Sequence, residues 1–117
     1  MAENNSTGKT GEQIAVNYLK TKGYEIIETN KRFGRAEIDI IAKNNDEYVF
    51  VEVKTRKNDL YGFPEEFVTD KKIEMMAKAA EMFTEQNQVK EIRFDIVSII
   101  FSKKEFEIKH IEDAFIP

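Results

Sequence analysis

Two neighbouring strand signals constrain the fold of this chain more than any other feature. Residues Ala36 to Ala42 and Glu47 to Lys54 are rich in β-branched and aromatic side chains, which favour strands. The residues between them, 43–46, read Lys-Asn-Asn-Asp, a sequence that is typical of a tight turn. The pattern therefore predicts a β-hairpin over residues 36–54.

The side chains of this hairpin divide between its two faces because they alternate along a strand. In the first strand, alternation places Ile38 and Ile40 on one face and Asp39 on the other. In the second strand, one face carries Val49, Val51 and Val53. The opposite face begins apolar and ends charged, as in a strand that leaves a core and enters a cleft; it carries Tyr48, Phe50, Glu52 and Lys54.

The length of the turn decides whether Asp39 meets Glu52. A two-residue turn at residues 45–46 places Asp39 opposite Glu52, and Glu37 opposite Lys54. An odd-length loop separates the two carboxylates. Opposed like charges are destabilising at Cβ separations of about 5 Å, so a divalent cation, which takes carboxylate ligands, is the natural companion. Lys54 would then steady an attacking water or the charge on a phosphate. An exposed strand face with ordinary ion pairs is the alternative that stays open.

The remaining pattern predicts an α/β domain with a mixed β-sheet flanked by helices. We expect a disordered tail to Gly8, followed by a single domain over residues 9–117. Thr69 is the predicted N-cap of the second helix, and the order of elements is α-β-β-β-α-β-β. The predicted elements are a helix over 9–22, strands over 24–28, 36–42 and 47–54, a basic turn over 30–34, a helix to about residue 86, and strands over 91–101 and 105–111.

The composition excludes several kinds of chemistry. The chain has 117 residues and no cysteine, which rules out disulfides and a zinc–thiolate site. We expect a structural role for the single histidine, His110. The first ten residues lack the apolar core of a signal peptide. The longest apolar stretch, residues 96–101, is too short to span a bilayer. We therefore expect a cytoplasmic protein with no membrane association.

Charge is distributed unevenly along the chain. The net charge of −4 lacks the basic excess that is usual in nucleic-acid-binding proteins. Basic residues nevertheless cluster around the hairpin and before the second helix, where they are candidates for contacts with phosphates; ordinary surface charge is the alternative for each. Tyr61 and Phe63 are candidates for base stacking or for loop anchors. The candidate phosphate contacts are Lys31, Arg32, Arg35, Arg56, Lys57, Lys71 and Lys72.

Other polar and apolar residues have simpler interpretations. Glu12 lies at helical spacing from Ala15, Val16 and Leu19, so it shares their apolar face and needs a partner. A cation or Lys54 is one such partner, and an ion pair at the helix end is the other. Arg93 and Asp95 share a strand face and are expected to pair. We expect Met75, Met76 and Met82 to pack against the core.

Several short motifs carry a family resemblance over nearly the whole chain from Gly8 onward. They resemble the YraN family of uncharacterised bacterial proteins, which is similar to the PD-(D/E)xK restriction-endonuclease-like superfamily and especially to archaeal Holliday-junction resolvases. Two positions depart from these patterns: Ile38 stands where the superfamily commonly has Pro, and Ala36 where the YraN family usually has Gly. The motifs are Gly11-Glu12, Glu37-Ile38-Asp39, Phe50-Val51-Glu52-Val53-Lys54, Arg93-Phe94-Asp95 and Ala114-Phe115.

The resemblance implies a specific site. It makes Asp39 and Glu52 ligands of Mg²⁺ or Mn²⁺, Lys54 the catalytic lysine and Glu12 an additional helix carboxylate. It implies a metal-dependent endonuclease that hydrolyses phosphodiester bonds of DNA, including branched or damaged DNA, and that forms a homodimer. The alternative is a non-catalytic module that uses a nuclease fold for nucleic-acid binding or protein assembly.

Overall fold

The helices and strands follow one another along the chain in the predicted order, α-β-β-β-α-β-β. The computed structural model describes residues 3–57, 69–89 and 91–115, with side chains from Thr10 onward. Tyr61 and Phe63 lie outside the described residues. The elements are α1 (Glu3–Thr21), β1 (Glu25–Phe33), β2 (Ala36–Asn44), β3 (Glu47–Arg56), α2 (Asp70–Asn87), β4 (Ile92–Ser102) and β5 (Glu105–Ile111).

The five strands form one mixed sheet in the order β1-β2-β3-β4-β5. Neighbouring strands are antiparallel except β3 and β4, which are parallel. A parallel pair needs a crossover, and the segment that contains α2 supplies it. The predicted α/β class with a mixed sheet is confirmed.

Each face of the sheet is covered by one helix. Ala15 and Leu19 of α1 are fully buried against a cluster that includes Val49 and Val51. On the other face, Met76 and Phe83 of α2 pack in a cluster with Phe50. The apolar stripes that the sequence shows on both helices are therefore satisfied by the sheet.

The ends of both helices follow from local chemistry. Thr69 is the N-cap of α2, as predicted, because its hydroxyl accepts a hydrogen bond from the backbone N–H of Lys72 at 3.1 Å. Helix α1 ends before Gly23, which has a φ of 95°. It begins at Glu3, earlier than the predicted start at Lys9.

No helix in the described ranges is long and apolar enough to cross a membrane.

The β2–β3 hairpin has the register that an even turn predicts. Ala42 pairs with Val49 across a two-residue turn, and the ladder continues to the pair of Ile40 and Val51. It ends there, because β2 and β3 separate. The predicted pairing of Glu37 with Lys54 is therefore wrong. On the other edge of β2, Glu37 pairs with Arg32 of β1.

Strand β1 is longer than predicted, and a kink in it explains two errors. Asn30 has a φ of 52° but the strand continues to Phe33, so the predicted basic turn at 30–34 shrinks to Gly34 and Arg35. Asn30 lies between Thr29, which pairs with Ile40 of β2, and Lys31, which pairs with Ile38. Its left-handed conformation interrupts the pleat between these two pairs. Ile38 therefore packs on the α2 side and Ile40 on the α1 side, although alternation predicts one face for both.

Candidate functional site

The separation of β2 and β3 creates the site. Asp39 lies one residue beyond the last pair of the ladder, and its carboxylate accepts a hydrogen bond from the backbone N–H of Val53 at 2.9 Å. This side chain takes over a hydrogen bond that a strand backbone would otherwise make. Asp39 is thereby fixed at the opening between the two strands, next to Glu52 of β3.

Glu52 is a buried carboxylate with two lysine neighbours. Its residue is 5% exposed. Lys54 Nζ lies 3.4 Å from Oε2, and Lys72 Nζ of α2 lies 3.5 Å from Oε1. Oε1 nevertheless has no hydrogen-bond partner within the described ranges. A buried acceptor in this state is unfavourable, which makes Oε1 a ready ligand atom for a cation.

The electrostatics of Asp39 tie the site together. Burial, followed by the negative charge of Glu52, raises the pKa of Asp39 to about 7. The hydrogen bond from Val53 lowers that pKa, as does the ammonium of Lys72, and the charge of Glu12 raises it. Glu52, Glu12 and Lys72 are therefore close enough to influence the ionisation of Asp39. Such clusters concentrate at functional sites.

Glu12 reaches this region because α1 approaches β3 closely. A Cβ on Gly11 would overlap Cγ2 of Thr55, so only glycine permits this distance between the helix and the strand. Glu12 Oε1 then accepts a hydrogen bond from Asn30 Nδ2 at 3.1 Å. The kink at Asn30 thus holds the helix carboxylate that the resemblance assigns to the site.

The donor set fits a hard divalent cation held mainly by two carboxylates. In residues 3–57, 69–89 and 91–115, no three acidic or histidine side chains converge into a preformed metal site. Mg²⁺ is commonly bound by one or two carboxylates, with water and substrate phosphate as the other ligands. Asp39 and Glu52 meet that requirement, and a cation beside them would also remove the repulsion that raises the pKa of Asp39.

The structure separates the predicted phosphate contacts into different places. Lys72 joins the site, whereas Lys71 and Arg35 line a groove beside α2. Lys31 lies 3.8 Å from Glu28. Arg32 lies on β1 opposite Glu37. At the end of β3, Arg56 donates a hydrogen bond to the carbonyl of Thr55. Lys57 lies beside the β4–β5 turn, near Lys103.

A second polar cluster is fully satisfied. Asp95, which is fully buried, accepts two hydrogen bonds from Arg93 and one from the backbone N–H of Asp113, each at 2.9 Å. His110 Nε2 lies 2.7 Å from Asp95, and its Nδ1 lies 3.1 Å from the hydroxyl of Tyr18. Burial raises the pKa of Asp95, but the hydrogen bonds from His110 and Arg93 outweigh it and hold the pKa below its usual range. The predicted Arg93–Asp95 pair and the structural role of His110 are confirmed.

Sequence reasoning missed Asn30 and the place of Lys72. The left-handed conformation of Asn30 has a weak signal, since asparagine tolerates positive φ. The contact of Lys72 with Glu52 joins distant segments and has no local signal. Met82 is 40% exposed, so its predicted packing is wrong: it lies at the outer rim of α2.

Comparison with known proteins places this chain in a family. The model of the uncharacterised protein family UPF0102 matches residues 11–99. A UPF0102 protein of Christiangramia forsetii is 47% identical over 116 residues, 98% of each chain. The UPF0102 protein FP2501 of Flavobacterium psychrophilum is 48% identical over the same shares. A UPF0102 protein of Alkaliphilus oremlandii is 42% identical over 96% of this chain and 99% of its own.

Proposed function

This chain belongs to the UPF0102 (YraN) family, and we propose that it is a metal-dependent nuclease that hydrolyses phosphodiester bonds of DNA. One observation carries the proposal: Asp39 and Glu52 lie side by side where β2 and β3 separate, and burial, together with the negative charge of Glu52, raises the pKa of Asp39 to about 7. A fold that needs only stability gains nothing from such a pair. A cation site gives the pair a purpose.

Asp39 and Glu52 are the residues that would hold Mg²⁺ or Mn²⁺. When bound, the cation would supply Lewis-acid polarisation of a phosphate oxygen and favour deprotonation of water. Asp39 must be ionised to act as a ligand, and its hydrogen bond from Val53 favours the ionised form. Glu52 contributes the buried Oε1.

Lys54 and Lys72 supply positive charge at the same place. Each ammonium lies within 3.5 Å of a carboxylate oxygen of Glu52, so each is held at the mouth of the site while remaining partly exposed to solvent. From there, Lys54 stabilises negative charge that develops on a scissile phosphate. Lys72 lies in the first turn of α2, whose N-terminal N–H groups also favour a phosphate.

Glu12 acts as a supporting carboxylate. Its hydrogen bond from Asn30 leaves its second oxygen available to accept a proton from water or from a substrate hydroxyl. Its influence on the pKa of Asp39 puts it within electrostatic reach of the paired carboxylates. We assign it a role in positioning water.

A substrate panel tests this function. Wild-type protein is incubated with labelled single-stranded, linear duplex, flapped and four-way DNA in Mg²⁺ or Mn²⁺. We expect cleavage of at least one substrate, and a loss of at least about 100-fold in Glu52→Gln and Lys54→Met. Glu37→Gln, which alters an exposed carboxylate two residues from Asp39, serves as the matched control and should cleave normally. Cleavage by wild type that does not exceed that of Glu52→Gln contradicts the proposal.

A non-catalytic nucleic-acid-binding or protein-assembly module is the second candidate. It is favoured by the two lysines that already balance the charge of Glu52, and by the lack of three converging ligands in the described ranges. Gel-shift titrations in EDTA separate the candidates. Metal-independent binding without cleavage supports a binding module, and neither binding nor cleavage supports an assembly role.

A further inference from the structure

A groove lies between the β1–β2 turn and α2. Its volume is about 490 Å³. Phe33 and Ala36 line it from the sheet, and four residues of α2 form its other wall. Lys71 of that wall directly precedes Lys72, which contacts Glu52. The groove wall and the candidate site therefore share the first turn of α2.

The α2 wall has a regular chemical pattern. Lys71, Met75, Lys78 and Met82 follow one another at spacings of four, three and four residues, so they form one stripe along the helix. Lysine and methionine alternate along it. The two lysines are separated by about 10 Å along the helix axis, so they would contact different phosphates of a bound chain.

The groove is cationic although the chain is acidic overall. Arg35 extends from the β1–β2 turn and joins the two lysines, and none of the described lining residues is acidic. None of the three forms an ion pair with a carboxylate in the described part of the chain. An anionic ligand is the complement of this charge pattern.

The geometry points to this groove as the binding track for a single strand of nucleic acid that leads its phosphodiester backbone to Glu52. The inference rests on the proposed function and names the form of its substrate. The lysines and Arg35 match phosphates, while the methionines of the α2 wall match exposed base faces. A duplex stacks its bases internally and presents mainly phosphates to such a surface.

Methionine suits this role. Met82 is 40% exposed and Met75 is partly buried. A thioether is flexible and polarisable, so it adapts to different bases and makes favourable contacts with aromatic rings. Phe33 is buried in the core, which leaves Met75 and Met82 as the surface that bases contact.

Binding in EDTA tests the inference without cleavage. The probe is a fluorescein-labelled oligothymidylate of about 16 nucleotides, followed by anisotropy and compared with a duplex of equal length. We expect tighter binding of the single strand. Lys71→Glu/Lys78→Glu should weaken it at least about tenfold and reduce the slope of log K against log salt by about 1.4. Lys20→Glu/Lys22→Glu is the control, because it makes the same change in charge at two exposed lysines. These lysines lie just before β1, whose first residue, Glu25, pairs with Lys43 beside the β2–β3 turn and away from the groove.

The apolar part of the groove has its own variant. Met82→Gln should weaken single-strand binding by about two- to tenfold without changing the salt slope, because no phosphate contact is lost. Circular dichroism of each variant verifies folding. Equal losses in the groove and control variants, or preference for the duplex, overturn the inference. Groove-dependent binding to phosphatidylglycerol vesicles in place of the oligonucleotide overturns it in favour of a lipid surface.

The two proposals fail in distinguishable ways. Groove-dependent binding with no cleavage of any substrate retains the track and rejects the nuclease. Cleavage that depends on Glu52 but not on Lys71 and Lys78 retains the nuclease and rejects the track.

Discussion

The backbone N–H of Val53 donates a hydrogen bond to the carboxylate of Asp39 where β2 and β3 separate. This bond joins the two strands beyond the end of their ladder. It also places Asp39 beside Glu52 without a backbone pair between them. The same separation that ends regular strand pairing therefore opens the candidate site.

Asp39 should make the stability of the protein depend on pH. Its folded pKa of about 7 lies above the ordinary aspartate value of 3.8, so the folded state binds more protons than the unfolded state between these values. The free energy of unfolding should therefore fall as the pH rises from about 4 to 7. Asp39→Asn lacks this penalty and should be more stable than wild type by about 1–3 kcal/mol at pH 8.

Urea denaturation in EDTA at pH 4 and pH 8 measures this difference. The asparagine can still accept the hydrogen bond from Val53, so the two proteins should be close in stability at pH 4. A stability difference that is the same at both pH values contradicts the raised pKa of Asp39.

Gly11 should be required for the approach of α1 to β3. Gly11→Ala introduces a Cβ that overlaps Cγ2 of Thr55, and we expect a loss of about 1–3 kcal/mol of stability. Thr55→Ser removes that methyl group and supplies the matched background. In a double-mutant cycle, the cost of Gly11→Ala should be smaller in the Thr55→Ser protein. Equal cost in both backgrounds would show that the contact is not the cause.

Asp95 should be a major source of stability, and its effect should have the opposite pH dependence. Asp95→Asn removes the buried carboxylate that pairs with Arg93 and leaves it only the more exposed carboxylates of Glu47 and Glu112, and we expect a loss of about 3–5 kcal/mol near neutral pH. The folded pKa of Asp95 lies below the ordinary aspartate value of 3.8. Its contribution is therefore present above pH 4 and decreases as the pH falls through the folded pKa.

Thermal unfolding of Asp95→Asn and Tyr18→Phe tests this assignment. Tyr18→Phe removes only the hydroxyl that lies near His110, so its loss should be about 1 kcal/mol. Similar losses in the two variants would mean that Asp95 is not the centre of the cluster.

Lys72 should compete with a cation for Glu52. Its ammonium lies 3.5 Å from Oε1, and like charges at about 4 Å repel by about 1 kcal/mol in water and more near a protein surface. Lys72→Gln should therefore bind Mn²⁺ at least about fivefold more tightly than wild type in the absence of DNA. Calorimetric titration measures this, with Lys71→Gln as the neighbouring control. Weaker Mn²⁺ binding in Lys72→Gln than in the control contradicts the competition.

The sequence predicted the parts of the site that depend on local periodicity. The even turn of the hairpin and the start of α2 at Thr69 are confirmed. The ladder ends at Ile40 and Val51, so Asp39 and Glu52 are neighbours without being a ladder pair. The pattern failed at Ile38 because the left-handed Asn30 on the neighbouring strand changes the local pleat. Alternation within one strand contains no information about such a kink.

Contacts between distant segments could not be predicted from local periodicity either, because they form only when the chain folds back on itself. Lys72 meets Glu52 only after the crossover returns α2 to the sheet. The stripe of Lys71, Met75, Lys78 and Met82 was readable at helical spacing, but its methionines were interpreted as core. The assembly as a homodimer and the choice of Mg²⁺ or Mn²⁺ stay predictions.

Mn²⁺ binding tests most directly whether Asp39 and Glu52 form a cation site. Electron paramagnetic resonance titration near pH 8, where Asp39 is ionised, compares wild type with Asp39→Asn, Glu52→Gln and the control Glu37→Gln. We predict a saturable Mn²⁺ site in wild type and in the control, with affinity reduced at least about tenfold in the other two variants. Equal Mn²⁺ affinity in all four proteins, or no saturable binding in wild type, would contradict the account.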